Sequence, residues 1–156
     1  MSLDKAEKKE TTSRMIGALL RVPFQATVSQ IYEGLTKAGY SDLRPSHFTV
    51  FQHLPPEGAR LTELAEKAQI TKQSMGYLIE YLEECGYIRR VPDPADGRAS
   101  LILWSEKGKT LEREARRIML RIEEDWSTYL GEARFQQLRE TLKDLVFYLE
   151  EQEPKN

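Results

Sequence analysis

Apolar residues recur at helical spacing over residues 13–38 (Ile16, Leu19, Leu20, Phe24, Val28, Ile31, Tyr32, Leu35), which predicts an amphipathic helix. Pro23 removes a backbone donor inside that run, so a kink or restart is expected there, and Gly39 is the stop. A second helix is expected from Pro45, carrying Phe48, Phe51 and Leu54 and ending before Pro55-Pro56, with Gly58 turning the chain. Leu61-Thr62-Glu63-Leu64-Ala65 opens a short helix with Thr62 as its expected cap. Thr71 then caps another helix running to about Cys85, with one stripe of Met75, Leu78, Ile79 and Leu82 closed by Gly86. The small Ala65 lets these two helices cross closely.

The period then shortens to that of strands. Tyr87–Val91 and Ser100–Trp104 are expected to pair across Pro92-Asp93-Pro94-Ala95-Asp96-Gly97-Arg98, which is turn chemistry throughout. Ser105 caps a long helix from about Glu106 to Leu130, with Leu111, Ala115, Ile118, Met119, Ile122, Trp126 and Tyr129 apolar. Gly131 breaks it, and a last helix carries Phe135, Leu138, Leu142, Leu145, Val146 and Leu149 before a polar tail from Glu150, expected to fray.

Two short helices joined by a tight turn form a helix-turn-helix, and a hairpin directly after one is a wing. The expected fold class is mainly α with a small β-hairpin wing: a winged helix-turn-helix flanked by dimerisation helices. Residues 1–40 form the N-terminal dimerisation helix, 41–104 the winged module and 105–156 the C-terminal dimerisation helices, one structural domain overall. Terminal helices with such broad apolar faces must bury them, and a second copy of the chain is the simplest partner.

Composition narrows the class. The chain has 156 residues, 40% apolar and 31% charged, as in an ordinary folded protein. No apolar run approaches a membrane span, and the first ten residues have no signal-peptide core. Cys85 is the single cysteine, so no intrachain disulfide framework is possible and a cytoplasmic setting is expected. The formal net charge of −2 does not advertise a nucleic-acid binder. Contact with DNA needs only a local positive surface, however.

Such a surface is legible. A recognition helix enters the major groove with its N-terminal end leading. Here that end reads Thr71-Lys72-Gln73-Ser74, followed by Gly76 and Tyr77, with no carboxylate until Glu80. Gln73 suits a bidentate contact to adenine, Lys72 a guanine edge or a phosphate, and Thr71 and Ser74 either role. Arg98, at the expected hairpin tip, is placed for the adjacent minor groove, with Asp96 expected to hold its guanidinium and Arg90 to add a phosphate contact.

Four segments together resemble the MarR (multiple antibiotic resistance regulator) family: Leu61–Ala65, Tyr81–Arg90, Asp93-Pro94-Ala95-Asp96-Gly97-Arg98 and Ser105-Glu106-Lys107-Gly108. The resemblance spans about residues 10 to 150. It implies a dimer built from the terminal helices that binds a pseudo-palindromic operator in double-stranded DNA, usually as a repressor, released by a small ligand or by oxidation. Many members carry a second basic residue before the wing arginine. Here Gly97 stands there, implying a more flexible, weaker wing.

By position, the resemblance places an effector site for small aromatic or phenolic compounds at Tyr32, His47, Phe51 and Trp126. Cys85 is the redox alternative, but a helix C-terminus and the neighbouring Glu83 and Glu84 raise a thiol's pKa, which favours a structural role. No metal site is expected, since His47 and His53 point apart on a helix, and no cofactor is implied. With no phosphate loop or nucleophile elbow, an enzyme is not expected. A winged-helix module binding another protein is the remaining rival, and the polar, basic face at Thr71–Tyr77 speaks against it.

Overall fold

The computed structural model describes residues 15–152. The expected helix start at residue 13, the reading of the first ten residues and the tail beyond Gln152 lie outside it. The elements run α1 (Ile16–Lys37), a 3-10 turn (Pro45–His47), α2 (Phe48–His53), β1 (Ala59–Arg60), α3 (Leu61–Lys67), α4 (Lys72–Glu84), β2 (Ile88–Asp93), β3 (Asp96–Trp104), α5 (Glu106–Leu130) and α6 (Glu132–Gln152). The chain divides into two compact units, one ending at Arg116 and one beginning at Arg117.

In the first unit, Leu35, Val50, Leu64, Met75, Ile79, Leu82, Tyr87 and Ile102 form a fully buried core. Removing their surface from water, at about 25 cal/mol per Å², drives the assembly of α2, α3, α4 and the sheet. The antiparallel sheet has the order β1-β3-β2. Trp104 closes it by donating its indole N–H to the Leu54 carbonyl at 3.1 Å. In the second unit Ile118, Ile122 and Phe135 are buried, and the Arg139–Glu123 ion pair links α5 to α6.

Several local expectations need correction. Helix α1 continues through Pro23 without a restart, and Thr27 Oγ1 donates to the Pro23 carbonyl at 3.0 Å. Arg60, not Thr62, caps α3, because the Arg60 amide donates to Glu63 Oε2 at 2.8 Å. The hairpin strands are longer than expected and leave only Pro94-Ala95 between them. Strand β1 was not anticipated: two residues carry no period, and only pairing with β3 makes them a strand. At the C-terminus α6 runs on past Glu150 to Gln152.

Candidate nucleic-acid interface

Helix α4 is amphipathic in a way that leaves one face free. Met75, Ile79 and Leu82 are fully buried, so Lys72, Gln73, Ser74 and Tyr77 project outward, with Tyr77 64% exposed. Thr71 adopts the extended backbone of an N-cap. Its Oγ1 accepts the Ser74 amide at 3.1 Å, while its hydroxyl donates to Ser74 Oγ at 2.9 Å. One turn on, Gln73 Nε2 donates to the Tyr77 hydroxyl at 3.3 Å, joining two side chains of the expected DNA-contacting face. The helix dipole and Lys72 make this end positive. Glu80, Glu83 and Glu84 follow in the far half.

In the wing, Asp93 pairs with Asp96 but Pro92 pairs with Ser100, so Gly97, Arg98 and Ala99 bulge out of the ladder. Arg98 is therefore presented from a bulge in β3, not from the turn itself, and is exposed. Asp96 does not hold its guanidinium: Asp96 Oδ1 accepts the Arg98 backbone N–H at 3.1 Å, because two residues' separation suits a local turn better than a long side chain folded back. Nor does Arg90 stand free for phosphate. Its Nε lies 3.0 Å from Glu83 Oε2 and its amide donates to Glu83 Oε1 at 3.1 Å, tying β2 to α4.

Sequence reasoning missed Arg60, whose Nε donates to Asp93 Oδ2 at 2.7 Å. No local pattern joins residues 33 apart. It also missed a knot around Asp42, whose Oδ1 accepts the Tyr87 hydroxyl and whose carbonyl accepts the Tyr81 hydroxyl, both at 2.6 Å. Lys107 sits 4.1 Å over the Tyr87 ring and donates to the Cys85 carbonyl at 2.7 Å. Cys85 itself is half-buried at the end of α4.

Of the residues expected to line an effector site, His47 is buried and stacked on Tyr81 at 4.6 Å, and its Nδ1 accepts the Arg44 amide at 3.0 Å. Burial above all, then the nearby Arg44 charge, holds its pKa below the ordinary 6.5. Phe51 stacks on Trp104 at 5.3 Å, and both line a cleft of about 410 Å³ with Leu54, Lys109 and Arg116. Tyr32 and His47 are not among its lining residues. Trp126 is half-buried within the second unit.

Residues 41–99, from the loop before α2 to the wing bulge, match the family model described as MarR family. This module is similar to the MarR-family winged helix. The chain is also similar to solved MarR-type structures. Wild-type MarR from E. coli in its apo form is 16% identical, with a TM-score of 0.70 over 85% of this chain and 97% of that one. CouR from Rhodococcus jostii RHA1, bound to p-coumaroyl-CoA, is 25% identical, with a TM-score of 0.65 over 86% and 94%. A transcriptional repressor CouR bound to a 23-mer DNA duplex is 23% identical, with a TM-score of 0.63 over 88% and 95%. Identities this low bear on fold, and the MarR fold is what they share with this chain. Among curated proteins compared by sequence, none matches.

Proposed function

We propose that the protein is a cytoplasmic, dimeric, sequence-specific DNA-binding transcriptional regulator, acting as a repressor that a small aromatic or phenolic ligand releases from its operator. The observation that carries this reading is the exposed, Thr71-capped and carboxylate-free start of α4 beside a wing that presents Arg98. A helix of that polarity suits the major groove and an exposed wing arginine suits the minor groove. Dimerisation is supported by the apolar side chains left exposed on α1 (Ile16, Leu19, Leu20, Phe24) and on α6 (Leu142, Leu145, Val146, Leu149). The Phe51–Trp104 cleft suits an aromatic ring, and its lining also carries Lys109, paired with Glu106, and Arg116, paired with Glu112. A CouR structure holding an aromatic thioester agrees with that class of effector.

The test is binding of the full chain to a duplex selected from a random pool, at fixed salt. Arg98→Ala should weaken specific and non-specific binding alike and flatten the salt dependence, whereas Gln73→Ala should shift base preference by ~1–3 kcal/mol at one position per half-site. Both variants binding like the parent would remove the winged-helix docking. An aromatic acid should dissociate the complex, and Cys85→Ser should leave that release intact. Release by peroxide alone, lost in Cys85→Ser, would replace the ligand with redox sensing.

A further inference from the structure

The wing tip is poorly anchored by its own ladder. Between Pro92 and Asp93 the register breaks, and beyond the break the strands are joined only by the Asp93–Asp96 pair. One carboxylate compensates. Asp93 is buried at the end of β2, where its Oδ1 accepts the Ala95 amide at 2.8 Å and so clamps the two-residue turn. Its Oδ2 takes Arg60 Nε at 2.7 Å and lies 2.6 Å from the second guanidinium nitrogen. The Ala95 amide first, and then Arg60, keep Asp93 ionised well below the usual carboxylate range.

Arg60 is itself held from both sides. Its amide donates to Glu63 in the first turn of α3, and β1 registers Arg60 opposite Leu101. Gly58 sets that register: its φ is +90°, and a Cβ there would lie 2.7 Å from the Ile102 carbonyl oxygen. A continuous path thus runs from the first helix of the helix-turn-helix, through Glu63, Arg60 and Asp93, to the turn that carries the bulge of Arg98.

We propose that Arg60 is a positioning residue for DNA recognition, acting through Asp93 to fix the wing tip relative to the helix-turn-helix and so to set where Arg98 is presented. This rests on the DNA-binding reading above. The rival role for Arg60, a direct phosphate contact, predicts the opposite sign in one variant. Asp93→Asn keeps an oxygen for the Ala95 amide, turns an amide donor toward Arg60, and removes a negative charge from a DNA-facing surface. Simple electrostatics then expects tighter binding, and a lost brace expects weaker binding.

The experiment measures affinity for the selected duplex at fixed salt, together with amide hydrogen exchange of the free protein. Asp93→Asn and Arg60→Ala should each weaken binding about ten-fold. Arg98→Ala should cost at least about three-fold less in the Asp93→Asn background than in the parent, while the effect of Gln73→Ala stays the same. Without DNA, both variants should exchange the Ala95 and Arg98 amides about ten-fold faster, with the interior of α4 unchanged. Asp93→Asn binding as tightly as the parent or tighter, or wing amides protected as before, would overturn the brace. A parent chain that selects no duplex overturns the DNA-binding reading instead, and the exchange data still decide whether Arg60 holds the wing.

Discussion

At the residue scale, packing has given two positions measurable consequences. His47 is buried with its Nδ1 accepting a backbone N–H, so a proton on that nitrogen breaks the bond to Arg44 and strands a charge against Arg44. Its folded pKa lies below the unfolded value, so the unfolded chain takes up the proton first and stability falls as pH drops below about 6.5. The urea midpoint should decline between pH 7 and pH 5 and decline less in His47→Gln, measured by far-UV circular dichroism. Gly108, in the first turn of α5, leaves no room for a side chain, since a Cβ would lie 2.0 Å from the Tyr87 carbonyl oxygen. Gly108→Ala should therefore destabilise the fold by ~2 kcal/mol or more in denaturant unfolding, despite alanine's better helix propensity.

At the element scale, the wing is a hairpin with a bulge that sets how Arg98 is presented. Three residues displaced from the ladder turn Arg98 outward, and Asp96 secures the backbone of that bend instead of the arginine side chain. Gly97 in the same bulge has open space where a Cβ would stand and no positive φ. Gly97→Arg should therefore be accepted without loss of stability. It should tighten DNA binding several-fold at low salt and steepen the salt dependence by about one phosphate contact, read from affinity against salt concentration. An unchanged slope would show that the bulge does not face the duplex.

At the scale of the whole molecule, the proposed dimer would cover the apolar side chains left exposed on α1 and α6, a gain of about 25 cal/mol per Å² buried. Sedimentation at micromolar concentration should give twice the chain mass of 18.1 kDa. Leu145→Glu should shift that mass toward the monomer and abolish operator binding while sparing weak non-specific binding. Two recognition helices related by a two-fold axis can enter successive major grooves on one face of DNA only about 34 Å apart. An effector that alters that separation weakens DNA binding, and linkage requires DNA to weaken effector binding by the same factor.

What the sequence determined by itself was the order and type of the larger elements. Their signals are local: the 3.6-residue stripe of α4, the Thr71 cap, the Ser105 start, where Gly108 donates its amide to Ser105 Oγ at 3.0 Å, and the stops at Gly39, Gly86 and Gly131, all with positive φ. The polarity of the α4 N-terminus was legible for the same reason, because residues close in sequence share one helical end. The tertiary structure alone decided how charges pair. Arg90 goes to Glu83, Arg60 to Asp93 and Lys107 to Asp42, and none of these partners is set by periodicity. It also decided that β1 exists, that His47 is packed on Tyr81 and does not line the cleft, and that Arg98 sits in a bulge. Periodicity along a chain reports which face of an element is buried, whereas the partner found by a polar group depends on which distant elements that burial brings together.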